Sequence, residues 1–164
     1  MAGREPSSSP LPLPPAYGKA TDPMAWSEAD GLLTRSRVYW IASVRPDGRP
    51  HVVPSDGIWL GDALYFGGSP DTVHMRNVRA TGHAVAHVGD GLAAAVIVEG
   101  GVTDETPAPD LAERLAEANN TKYADYGMTM QPEDYVKTGV TALRARRVLA
   151  WTSYPENATR FEFG

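Results

Sequence analysis

Four histidines are the side chains in this sequence most suited to metal or proton chemistry. His83 and His87 stand four residues apart in an alternating stretch that reads as a strand. At strand rise that is about 13 Å, too far for a shared small metal. His51 is the third histidine that could suggest a metal, and no histidine is marked as a haem ligand. Cysteine is absent, which removes disulfides, thiolate-bound zinc, iron–sulfur clusters and thiol nucleophiles. No serine sits in a G-x-S-x-G elbow, and neither a Walker loop nor a G-x-G-x-x-G fingerprint occurs. A nucleophile triad therefore has no support.

Other residues with a distinctive local role cluster in the first half. Pro54 has no amide to give a ladder, so it marks a sheet edge, a bulge or an exposed face. Gly67-Gly68 ends a strand and lets another group approach the backbone. Thr72, His74, Arg76 and Asn77 follow in a short helical stretch whose start Ser69 or Asp71 could cap. Without further information Thr72 and Asn77 read as local backbone-bonding residues, His74 as a solvent-facing helix residue and Arg160 as a surface arginine.

The elements that position these residues are short. Trp26, Ala29, Leu32 and Leu33 recur at helical spacing after Asp22-Pro23, predicting a helix over 24–35. VYWIASV at 38–44 reads as a strand, Asp47-Gly48 as a tight turn, and HVVPSDGIWL as the returning strand. ALYFGG, HAVAHVG at 83–89 and LAAAVIVEGGVTDE continue the hairpin order, with turns at Gly61-Asp62 and Asp90-Gly91. Gly100-Gly101 suggests a bulge or kink. PAPDLAERLAEANNTKYA carries a helical apolar stripe, and PEDYV at 132–136 one further turn. TALRARRVLAWTSYP, with a bulge near Arg146-Arg147, and TRFEF close the chain. Hairpins with helical insertions and no βαβ spacing predict a barrel. The expectation is a mainly β fold, a six-stranded antiparallel split barrel over 22–164. The Pro- and Ser-rich 1–21 is expected to be a disordered arm.

The chain of 164 residues suits one core, and its net charge of -5 disfavours general nucleic-acid binding. No apolar run approaches the roughly 18 residues of a membrane span, and the N-terminus lacks the apolar core of an export signal. A cytoplasmic protein is expected. Trp40, Trp59 and Trp151 read as core or interface aromatics. The segment 119–137, with Tyr123, Tyr126, Met128, Met130 and Tyr135, suits either an apolar ligand wall or a core patch.

In order, YWIASVRPDGRPHVVP at 39–54, GIWLGDALYFGG at 57–68, Arg76-Asn77, VIVEGGVTD at 97–104 and RVLAWTSYPENATRFEF at 147–163 together resemble the pyridoxamine-phosphate-oxidase-like split-barrel superfamily. Within it the sequence is most similar to the actinobacterial flavin/deazaflavin oxidoreductases that use coenzyme F420. The resemblance implies a homodimer with cofactor sites between subunits. It implies that Val53, Pro54 and Ser55 border the cofactor ring, and that Gly67, Gly68, Thr72, His74, Arg76 and Asn77 hold the phosphate-bearing tail. Arg160 would reach the partner's site. The implied reaction is hydride transfer between reduced F420 and a small unsaturated organic substrate. The alternatives are an FMN-dependent oxidoreductase or oxidase, and a non-catalytic carrier. The F420-using pattern Ser-Arg-Lys-x-Arg-Asn is here Thr72-Val73-His74-Met75-Arg76-Asn77, so two cationic positions are replaced. Arg45, Arg49 and Arg79 are candidates to compensate.

Overall fold

The computed structural model describes residues 5–90, 93–127 and 129–164. Gly91 and Leu92 of the expected turn and strand, Met128 of the expected wall, and residues 1–4 of the expected arm lie outside them. The elements run β1 (Ser7–Pro10), α1 (Trp26–Arg35), β2 (Tyr39–Val44), β3 (Pro50–Ser55), β4 (Ile58–Leu60), β5 (Ala63–Phe66), α2 (Val73–Thr81), β6 (His83–Gly89), β7 (Ala95–Glu105), α3 (Pro109–Lys122), α4 (Pro132–Thr138), β8 (Val140–Trp151) and β9 (Thr159–Glu162).

Two expectations are corrected. The sheet has nine strands rather than six, and it is an open split-barrel-like sheet of a mixed α/β fold rather than a mainly β one. The stretch 51–60, read as one strand, divides at Asp56-Gly57 into β3 and β4. Within the arm, Ser7–Pro10 pairs antiparallel with β9. Serines and prolines offer no apolar pattern, so the order there comes from main-chain hydrogen bonding to an existing edge.

All pairings are antiparallel, in the order β1-β9-β8-β7-β6-β2-β3, with β5 joining β8 and β4 joining β5. Strand β8 explains the split. One of its edges pairs along its whole length with β7. The other pairs with β5 through Thr141–Arg144 and then with β9 through Arg147–Ala150. Between those halves the β7–β8 register shifts at Glu99/Gly100, leaving Arg146 as the extra residue. A side chain at Gly100 would run into the Arg144 carbonyl, so glycine is required at the bulge. Both expected irregularities, at Gly100-Gly101 and at Arg146-Arg147, are thus two sides of one feature.

The core lies on the inner face, where Tyr39, Ile41, Leu64, Val96, Val98, Leu143, Val148 and Phe161 pack with Leu33 of α1 and Met75 and Val78 of α2. A smaller cluster of Ile58, Tyr65, Leu115, Tyr123 and Ala142 seats α3. The outer face is built differently. Successive registers place Pro54, Trp40, His87, Ile97, Leu149 and Arg160 side by side in one row across β3, β2, β6, β7, β8 and β9. Trp40, Val44 and Val52 there are 45%, 48% and 57% exposed. β3 is the free edge, as Pro54 predicts. Among the described residues no helix is long and apolar enough to cross a membrane.

Candidate functional site

Helix α2 begins after a loop that consumes its own polar groups. The Thr72 amide and hydroxyl both donate to the Ser69 carbonyl (2.9 and 2.8 Å), and Arg76 Nη1 donates to the Asp71 carbonyl (2.6 Å). No side chain caps the helix. Its first-turn amides therefore present partial positive charge outward. Directly beneath lies His74, 8% exposed, whose buried Nε2 has no hydrogen-bond partner. A buried polar atom left unpaired is costly unless something completes it. His74 packs over Gly68, where a Cβ would lie 2.9 Å from Nε2.

Gly67 and Gly68 continue into a cleft of about 930 Å³. Its floor is Tyr65 and Phe66 at the end of β5, one side is Met75 and Arg79 of α2, and the opposite wall is Leu115, Asn119, Met130 and Tyr135. Asp56 and Gly57 form its rim where β3 gives way to β4. Of the expected wall residues, Met130 and Tyr135 line the cleft. Tyr123 lies behind, and Tyr126 is exposed and stacked with Arg37. Burial, and then the nearby carboxylates of Asp56 and Asp134, push the Tyr135 phenol up to about 12, so it stays a neutral donor.

The structure brings together some of the expected residues and separates others. Gly67 and Gly68 line the cleft, whereas Thr72 and His74 at the start of α2 do not, His74 reaching it only through its contact with Gly68. Arg76 is on the same turn but is directed at Asp71. Asn77 turns inward, 3% exposed, and its Nδ2 donates to Ser43 Oγ (3.1 Å), pinning α2 to β2. Val53 packs against the core, Pro54 faces Trp40 on the outer surface, and Ser55 Oγ donates to the Asp56 carbonyl (2.8 Å). None of these three lines the cleft, although they lead the chain into its rim. Arg160 belongs to β9, at the other end of the outer row from Pro54, with Nε 3.5 Å from Glu162 and no hydrogen-bonded partner for that atom. The candidate compensating arginines are largely engaged: Arg49 pairs with Asp47 (2.8 Å) and Arg79 with Asp104 (2.7 Å).

One group was not legible in the sequence. Lys122, in the last turn of α3, donates to the Ser36 carbonyl (3.0 Å), the Tyr39 hydroxyl (3.0 Å) and the Gly57 carbonyl (3.3 Å). Beside it the Tyr123 hydroxyl accepts from the Gly57 amide (2.9 Å) and donates to the Arg37 carbonyl (2.9 Å). The only available signal was a basic residue in a helix's last turn, which ordinarily reads as a dipole partner on the surface.

Among the described residues no group of His, Asp and Glu is placed to hold a metal ion. The cleft is lined by an aromatic and methionine wall and by Asp56, Asp104 and Glu105 beside Arg79 and Lys137, with the uncapped start of α2 adjoining it at Gly68. These suit a phosphate-bearing planar cofactor.

Comparison with known proteins agrees with that geometry. None of the curated proteins matches the sequence. An F420 reductase of known structure is similar at 25% identity over 73% of this chain and 94% of its own, with a TM-score of 0.54. A conserved hypothetical protein of Mycobacterium tuberculosis is similar in fold at 19% identity, over 81% of this chain and 88% of its own, with a TM-score of 0.63. A FAD-binding protein of Mesorhizobium loti is similar at 20% identity over 86% and 96%, with a TM-score of 0.57. The family model for pyridoxamine 5'-phosphate oxidase matches residues 25–152. The split-barrel sheet agrees with that match, and the chain belongs to the pyridoxamine 5'-phosphate oxidase family.

Proposed function

We propose that this protein is a cytoplasmic, homodimeric oxidoreductase that holds a singly phosphorylated flavin of the FMN type and acts on a small organic substrate. The observation that carries the reading is the unpaired, buried Nε2 of His74 beneath the uncapped start of α2. A phosphate would complete both at once: the helix amides donate to its oxygens and the imidazole supplies a further donor. Gly67 and Gly68 admit it because no side chain intervenes.

FMN is favoured over F420 by the cation inventory. A polyglutamate tail needs several free Arg or Lys side chains. Here Val73 is neutral, Arg76 serves the loop backbone, and Arg79 is neutralised by Asp104. One phosphate suits what remains. F420 stays the second reading, supported by the ordered sequence blocks and by the similarity to the F420 reductase.

When bound, the cofactor supplies the electron or hydride transfer. The chain's own residues bind and shield it. The α2 start and His74 anchor the anionic end, while the fixed Asp56-Gly57 rim limits where the ring can sit. Tyr65, Phe66, Met75, Met130 and Tyr135 would give ring and substrate an apolar contact surface. The exposed Trp40, Val44 and Val52 of the outer face support the homodimer, since exposed apolar patches mark interaction surfaces.

Separate titrations of the apo-protein with FMN and F420, followed by ligand fluorescence, test the reading. FMN binding near one per subunit, with F420 at least tenfold weaker, is the expected result. The reverse order would move the assignment to the deazaflavin. Binding without turnover of any electron acceptor would leave a carrier, and binding of neither would sink both.

A further inference from the structure

We propose that Lys122 is an electrostatic positioning residue: it fixes the Asp56-Gly57 rim and places an uncompensated positive charge behind the ring site, favouring the reduced, electron-rich form of the cofactor. The inference rests on the flavin reading above.

Three observations carry it. First, the ammonium is immobilised. Each of its three hydrogens has its own acceptor, drawn from the end of α1, from β2 and from the rim itself. Second, it has no carboxylate. All the acidic residues are among the described residues, yet none forms a salt bridge with Lys122; its acceptors are two carbonyls and a phenol, and its other neighbours are the rings of Tyr39 (5.2 Å) and Tyr123 (6.0 Å). Carbonyl and π contacts orient a cation but leave its net charge in place. Third, it touches the site through one bond only. Gly57 lines the cleft, and Lys122 is on its far side, 3.3 Å from the Gly57 carbonyl. A salt-bridged lysine would project little field into the cleft. This one, hydrogen-bonded only to carbonyls and a phenol, keeps its net charge beside the rim.

A surface or purely structural lysine would behave differently. Its removal would change stability and leave the cofactor's electronic state alone. Two variants separate charge from geometry. Lys122→Gln keeps hydrogen-bond donors and removes the charge. Tyr123→Phe keeps the charge and removes the hydroxyl that holds the Gly57 amide.

The test uses the full chain loaded with FMN, with F420 as the parallel probe, in equilibrium redox titrations followed by visible absorbance. For Lys122→Gln the ratio of reduced to oxidised bound cofactor, at a fixed poise, should fall at least tenfold, which is about 30 mV for a two-electron couple. Tyr123→Phe should weaken binding and leave that ratio within twofold. In the apo-protein, Tyr123→Phe should speed hydrogen exchange at the Gly57 amide about tenfold, a readout that needs no cofactor. If Lys122→Gln binds cofactor with an unchanged ratio, the electrostatic role is wrong. If Tyr123→Phe shifts the ratio equally, geometry and not charge is responsible, and the proposal also fails. If wild type binds neither probe, the flavin reading falls first and this inference with it. A variant that unfolds is replaced by Lys122→Met, judged by the same ratio.

Discussion

Gly68 and His74 form a contact that only glycine permits. The imidazole Nε2 lies where a Cβ on residue 68 would come within 2.9 Å, and the backbone there has φ +152°. Gly68→Ala should therefore act twice. The strained backbone should cost about 1–3 kcal/mol in thermal unfolding. The displaced imidazole should weaken phosphate-flavin binding as well. Melting curves with and without FMN measure both effects on one sample.

His74→Ala isolates the anion contact. A hydrogen bond to a charged group is worth about 1.5–3 kcal/mol, so FMN affinity should fall roughly ten- to a hundredfold. Riboflavin, which lacks the phosphate, should bind the variant and the wild type alike. Equal losses for both ligands would mean that the imidazole does not face the phosphate.

Asp104 predicts an acid-sensitive contribution. Its carboxylate accepts from Thr141 Oγ1 (2.6 Å) and pairs with Arg79, and the Thr141 bond and then the arginine hold its pKa below the usual 3.8. A depressed carboxyl stabilises the fold fully above its unfolded pKa and loses that contribution as pH falls through the folded one. The side chain is nearly half exposed, so screening limits the effect to about 1 kcal/mol or less. Thr141→Val should lose this increment at pH 6 and converge with wild type below pH 3.8. Urea unfolding at the two pH values would show it.

Lys122 predicts a change of the same sign, at the alkaline end. Burial lowers its pKa from 10.5 to about 8. Between those values the unfolded chain binds the proton more readily than the folded one, so this residue's contribution to stability rises with pH over that window. Wild type should gain on Lys122→Met between pH 8 and 10.5. Chemical denaturation across that range is the measurement, and a constant difference would refute the desolvated ammonium.

Trp40→Glu tests the outer face. Trp40 stands between Pro54 and His87 in register and is 45% exposed. If the proposed homodimer forms through this face, a carboxylate here should shift it to monomer in sedimentation at micromolar concentration, because the charge would be desolvated on association. The fold should persist by circular dichroism. A mass unchanged by the substitution would count against this face.

Much of the scaffold was legible residue by residue. Alternation in YWIASV and HAVAHVG, the Asp47-Gly48 turn with φ +84° at Gly48, and the edge role of Pro54 all report local backbone preference, which the sequence carries directly. The Gly100 and Arg146 irregularities were legible for the same reason. The division of 51–60 was not, because Asp56-Gly57 breaks the strand through packing: a Cβ at Gly57 would meet Leu64 and the Tyr65 carbonyl at 3.0 Å.

The site divides along the same line. By itself the sequence determined the absence of thiol chemistry, the glycine pair and the short helix that follows it. Only the tertiary structure decided which side chains serve that site. Asn77 and His74 are three residues apart on one helix, and the packing of α2 on β2 alone sends Asn77 to Ser43 and leaves His74 unpaired. Lys122 reaches Gly57 across 65 residues of chain. Sequence periodicity tells which face of an element is apolar, but the partner it meets depends on how the layers dock. Burial and unpaired charge exist only once they have docked.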